Sequence, residues 1–156
     1  MQLKILWIGK TKNASLRALT EDYLARVRHF FPCEVLEVRD VSRVRGGRGS
    51  DLLAAEAEGI VRMLPAGCKT VALDDSGEEM SSPDFANWIG SELNRGTRTL
   101  AFVIGGPSGI DAAIRNGARL RISFGKMTWT HEMCRVLLLE QLYRAACILR
   151  NIPYHK

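Results

Sequence analysis

Gly105-Gly106-Pro107-Ser108-Gly109 directly follows the apolar run Leu100–Ile104. In an open α/β sheet, ligands bind beyond the carboxyl ends of strands, and a residue without a Cβ lets backbone approach a ligand closely. The same five residues also suit a tight strand-to-helix turn with no ligand. A Walker phosphate loop is excluded, because no Lys-Ser or Lys-Thr follows at the required place. G-x-G-x-x-G is absent too, and no acidic residue ends the next strand to hold a ribose. His131-Glu132-Met133-Cys134-Arg135 has the opening of a zinc-protease helix, but Arg135 stands where the second histidine ligand is required. The four cysteines, Cys33, Cys68, Cys134 and Cys147, show neither C-x-x-C spacing nor a neighbouring histidine cluster. No metal site and no thioredoxin-type chemistry is expected from them.

Near the end of the chain, Glu140 precedes Arg144 by four residues, the favourable orientation for an ion pair on a helix. The pair is either a structural salt bridge or an arginine pre-oriented toward phosphate. The tail Pro153-Tyr154-His155-Lys156 groups a stacking ring, a titratable imidazole and an ammonium. These suit holding a base and moving a proton from it, although chain ends usually fray.

Strands and helices alternate along the chain that must position these groups. Leu3–Ile8 is a short apolar run closed by Gly9 and reads as a buried strand. A helix is expected from about 15 to 30, with Leu16, Leu19, Tyr23, Leu24 and Val27 on one face, stopped by Pro32. Val35, Leu36 and Val38 belong to a second strand. The Arg/Gly-rich stretch from Arg39 to Ser50 has no periodicity and reads as a loop, either an RNA contact or a solvated surface. Ser50 or Asp51 can cap a helix to about Met63. A third strand, Thr70–Leu73, is expected to end at the turn sequence Asp74-Asp75-Ser76-Gly77. Ser81-Ser82-Pro83 opens a helix carrying Phe85, Trp88, Ile89 and Leu93. Strands over 99–104 and 119–124 flank a short helix over 110–116, and a long helix runs from 131 to 151. This alternation predicts one α/β domain over residues 1–156 with a mainly parallel sheet flanked by helices. The terminal helix is apolar nearly all round, so burial on several sides, against a second subunit in a homodimer, is expected.

The 156 residues suit a single core, and 22 basic against 17 acidic side chains give a net charge of +5. Such an excess favours a polyanion such as RNA, because basic groups displace counterions condensed on phosphates. No signal peptide is visible and no apolar run approaches the ~18 residues that span a bilayer. A cytoplasmic protein without a membrane partner, its thiols reduced, is the expectation.

Several of these motifs occur together, in one order, in a known family. They are Gly105–Gly109, Met127-Thr128 with His131, Arg135-Val136-Leu137-Leu138, Glu140-Gln141-Leu142-Tyr143-Arg144-Ala145 and Pro153-Tyr154-His155. The chain closely resembles the bacterial 23S rRNA pseudouridine N3-methyltransferases, minimal members of the SPOUT superfamily, over its whole length. The resemblance implies a SPOUT-type fold with a C-terminal trefoil knot, a homodimer, and S-adenosylmethionine as methyl donor. The implied target is a pseudouridine in the 23S rRNA intersubunit hairpin loop, methylated on the assembled 70S ribosome. Carried over by motif, the donor site is Leu73, Gly105 and Phe124-Gly125-Lys126-Met127-Thr128-Trp129. Tyr154 and His155 would reach the other subunit's active site, with His155 removing the N3 proton and Arg144 and Lys156 holding oxygens. Thr130, where a proline often precedes the histidine, and Glu132, where glutamine is common, depart from the family pattern. A non-catalytic ribosome-binding factor and a SPOUT enzyme acting on tRNA are the competing readings.

Overall fold

The computed structural model describes residues 1–41 and 49–154. Strands β1 (Gln2–Ile8), β2 (Cys33–Val38), β3 (Lys69–Glu79), β4 (Thr99–Ile104) and β5 (Leu120–Ser123) alternate with helices α1 (Ala14–Arg28), α2 (Gly49–Met63), α3 (Ser82–Asn94), α4 (Ala112–Gly117) and α5 (His131–Leu149). All strand pairs are parallel, in the order β2-β1-β4-β3-β5. The mainly parallel sheet expected from the sequence is therefore present.

Period-two burial divides two cores across the sheet. Leu3, Ile5 and Trp7 of β1 and Leu100, Phe102 and Ile104 of β4 face α1, α3 and α5. Leu6 and Ile8, with Ala101 and Val103, face α2 and α4 through Ala57, Ile60 and Ile114. Strands buried on both faces read as continuous apolar runs, which is why β1 and β4 were legible.

Four expectations need correction. The stretch Asp74-Asp75-Ser76-Gly77 does not end β3: the strand runs to Glu79, with a register shift against β5 between Leu73 and Glu78. The turn residues form a bulge, in which Asp74 Oδ1 accepts from Ser76 N (2.8 Å) and Ser76 Oγ (2.6 Å). A Cβ on Gly77 would stand 2.6 Å from the Ile122 backbone, so only glycine lets β5 pair there. Ser50 and Asp51 lie inside α2, which begins by Gly49, so neither is its cap. Leu19 and Leu93 face outward, 45% and 36% exposed, while Thr20 turns inward and bonds Leu16 O. Finally, α5 is sheltered within one chain: no residue of it is exposed, because α1 and α3 flank it and the sheet backs it. Eight of its residues are buried and the other eleven, Leu137, Tyr143, Ile148 and Leu149 among them, are half-buried, so its own chain supplies part of the cover.

At the opposite edge from the carboxyl ends, Glu92 of α3 is fully buried and accepts from Lys69 Nζ (2.5 Å), Thr97 Oγ1 (2.5 Å) and Arg95 Nη1 (3.0 Å). The hydrogen bonds from Lys69 and then Thr97 hold its carboxyl down to about 2. A depressed carboxyl stabilises the fold fully above its unfolded pKa and loses that contribution as pH falls toward 2. Glu92→Gln should therefore lower stability by about 2 kcal/mol at neutral pH. In urea titrations, the gap to the parent chain should narrow through the acid range.

Candidate active site

The bulge within β3 and the segments leaving the carboxyl ends of β4 and β5 wall one cavity of about 630 Å³. The first is Leu73 with Asp74 and Asp75, placed there by the bulge; the second is the glycine loop from Gly105 to Gly109; the third runs from Phe124 to Thr130. Of the eight sequence-predicted donor residues, seven (Leu73, Gly105, Phe124, Gly125, Met127, Thr128 and Trp129) line this cavity, and Lys126 does not. Asp74, Asp75, His131 and Cys134 also line it, and sequence reasoning missed them as site residues. Asp74 and Asp75 were findable, since they directly follow the apolar run Val71–Leu73, but they read as turn formers.

The glycine loop closes on itself. Gly109 N donates to Gly106 O (3.0 Å), and a Cβ on Gly105 would stand 2.1 Å from Gly109 O. The third segment is tied by its own bonds: Gly125 N donates to Ser123 Oγ (3.2 Å), and Trp129 Nε1 to Phe124 O (3.3 Å). Met127 and Trp129 nevertheless show 76% and 43% of their surface to solvent.

The two family departures have structural work. Thr130 caps α5, its Oγ1 accepting from Met133 N at 3.2 Å. Glu132 reaches back to the β1–α1 loop and accepts from Lys12 N (2.8 Å) and Asn13 N (3.1 Å). Burial pushes its carboxyl up, but these two N–H groups and Arg135 outweigh that and hold it below its usual range. Burial lowers the His131 imidazole from its ordinary value, with Arg135 adding to the shift, so the ring is neutral at pH 7. Burial pushes the Cys134 thiol up from its ordinary value.

The groups assigned to proton handling sit elsewhere. Arg144 Nε donates to Glu140 Oε1 (2.9 Å), so the expected pair forms, and the guanidinium lies 4.8 Å from the Tyr154 ring centre. Tyr154 is docked, correcting the frayed-end reading up to that residue. Asn151 takes a left-handed φ of 53°, Asn151 N donates to Ile148 O, and Ile152 N to Cys147 O, a Schellman ending for α5. The tail thereby turns back, and Tyr154 packs edge-on against Tyr143 with its hydroxyl 3.3 Å from Glu140 Oε1 and 3.4 Å from the Tyr23 hydroxyl. Burial, then the Tyr23 bond and the Glu140 charge, raise the phenol well above its ordinary value, so it stays protonated. Arg144 is thirteen residues along α5 from His131, roughly 20 Å at 1.5 Å per residue. Neither Arg144 nor Tyr154 is among the residues that line the cavity of its own chain. His155 and residues 42–48 of the Arg/Gly stretch lie outside the described residues.

Residues 1–155 match the family model described as "Predicted SPOUT methyltransferase", and the chain belongs to the SPOUT methyltransferases. Its relatives there are proteins named ribosomal RNA large subunit methyltransferase H. Those of Geobacter sp. (strain M21) and Pelobacter propionicus are 40% and 41% identical, each aligned over 99% of both chains. That of Ruegeria pomeroyi is 41% identical over 100% of this chain and 99% of its own. The SpoU methyltransferase AviRb from Streptomyces viridochromogenes, solved with AdoMet, aligns at a TM-score of 0.49 and 15% identity, over 92% of this chain and 57% of that one.

Beneath the glycine loop, Glu56 of α2 is only 4% exposed, and a Cβ on Gly106 would stand 3.1 Å from its Oε1. Burial, and then the charge of Asp40, push its carboxyl above the usual range, and no hydrogen bond from the described residues reaches it. A raised carboxyl stabilises the fold below its unfolded pKa and loses that contribution as pH rises through the folded value. Glu56→Gln should therefore raise the neutral-pH Tm by roughly 2–4 °C in calorimetry, with no gain at acid pH.

Proposed function

We propose that this protein methylates N3 of a pseudouridine in the 23S rRNA intersubunit hairpin loop, in the cytoplasm, on the assembled 70S ribosome, using S-adenosylmethionine. The full-length likeness to ribosomal RNA large subunit methyltransferases H supports an rRNA substrate. The observation that carries the mechanism is the cavity where the β3, β4 and β5 loops meet.

The cavity suits such a donor. Its size is that of a small-molecule site, and Leu73, Ile104, Ile122 and Met127 offer apolar wall around an adenine. The cradle at Gly105 leaves backbone, rather than side chain, facing the ligand. S-adenosylmethionine supplies an electrophilic methyl on a sulfonium, and displacement from it requires in-line placement of the acceptor. This chain's residues then have to orient the base and move one proton. His155 removes or polarises the N3 proton, and Arg144 with Lys156 holds phosphate or carbonyl oxygens. Tyr154, a neutral phenol, positions by hydrogen bonding rather than by accepting a proton.

Arg144 lies ten residues beyond Cys134 of the cavity wall, about 15 Å along α5, and with Tyr154 it serves the cavity of a second subunit. Exposed Met127 and Trp129 offer apolar surface at the cavity mouth for that subunit to cover. The C-terminal trefoil knot is part of this reading, supported by the 105–109 and 124–130 segments walling one cavity.

Mass spectrometry of 23S rRNA from cells with and without the gene should show one methylpseudouridine lost on deletion. An unchanged modification would overturn the assignment. Gly105→Ala should weaken S-adenosylmethionine binding by at least about tenfold in calorimetry, because its Cβ would displace Gly109. His155→Ala should instead lower turnover far more than donor affinity; unchanged turnover would remove His155 from the chemistry.

A further inference from the structure

A second cleft, of about 480 Å³, lies at the carboxyl ends of β1 and β2. It shares Pro107 and His131 with the donor cavity, so the two flank the point between β1 and β4 where the strand order reverses. Lys10, Lys12 and Arg39 line it together with the acids Glu37 and Asp40, leaving an excess of one positive charge.

The loop that carries the two lysines is held from below by buried polar groups. Gly9 N donates to Val38 O at 2.7 Å. Arg135, fully buried, donates to Ile8 O and to Thr11 Oγ1, each at 2.7 Å, and lies 4.9 Å from the Trp7 ring centre. Glu132 accepts from Lys12 N and Asn13 N. Burying a guanidinium whose Nε has no partner among the described residues is costly. What Arg135 and Glu132 add is a fixed backbone path. Thr11 points into that framework, while Lys10 and Lys12 on either side of it are exposed. Neither ammonium is ion-paired among the described residues.

We propose that this rigid β1–α1 loop grips the RNA backbone, Lys10 and Lys12 taking the phosphates beside the nucleotide whose base enters the donor cavity. Two cations on a pre-set loop meet a phosphodiester without an ordering cost at the moment of binding. The shared wall of Pro107 and His131 places that contact one cleft away from the reacting base. This inference rests on the proposed RNA substrate.

The test measures binding of the full-length protein to 70S ribosomes and to protein-free 23S rRNA across a KCl series, for the parent chain and for K10A/K12A. Loss of two phosphate contacts should lower the slope of log affinity against log salt by about 1 to 2 on both targets. S-adenosylmethionine affinity should stay unchanged, since neither lysine lines the donor cavity. An unchanged slope in the variant overturns the proposal while leaving the methyltransferase reading intact. A slope lowered only on ribosomes also supports it, because the proposed target is the rRNA loop as the assembled 70S ribosome presents it. A parent chain that binds neither target overturns this inference and the proposed function together.

Discussion

The length of α5 sets the terms for everything around it, because a straight, hydrogen-bonded helix cannot bring its ends together. Its 19 residues span about 28 Å. The first turn contributes His131 and Cys134 to the cavity beyond β3, β4 and β5. The last turns carry Arg144 and, through the left-handed residue Asn151, the returning Tyr154. α1, α3 and the sheet pack against α5 along its length. Chemistry that needs both ends therefore has to draw them from two copies of the chain, and this geometric separation underlies the proposed homodimer.

Polar side chains, of which Arg135 is buried and most of the rest half-buried, tie down those two ends. At the amino end, Thr130 caps the helix while Glu132 and Arg135 lock it to the β1–α1 loop. At the carboxyl end, Glu140 gathers Arg144, Gln141 and the Tyr154 hydroxyl. Among the described residues, Arg135 Nε and Trp7 Nε1 have no hydrogen-bond partner, a local cost in stability.

Much of this was legible in the sequence, for identifiable reasons. Strands buried on both faces announce themselves as apolar runs, and Ser81 before Pro83 announced the start of α3. The glycine loop was placed correctly because its position after β4 is a local matter. Long-range consequences were not legible. Asp74-Asp75-Ser76-Gly77 carries turn chemistry, and only its pairing with β5 makes it a bulge. The apolar girth of α5 pointed to a second subunit, and α1 and α3 of the same chain supply part of its cover. The reach of Glu132 to Lys12 and Asn13 crosses more than a hundred positions, which no spacing rule encodes. The tail's order came from a Schellman turn at Asn151, a signal present in the sequence but outweighed by the habit of chain ends to fray.

The claim that one subunit's tail completes the other's cavity is tested most directly by mixing inactive variants. Gly105→Ala spoils the donor cavity and leaves the tail intact; Arg144→Ala does the reverse. Unfolded and refolded together in equal amounts, half the dimers would be mixed, each with one competent site. Methylation of 70S ribosomes should then return to about a quarter of the parent rate. A mixture as inactive as either variant alone would place both groups in one subunit's site and contradict the account.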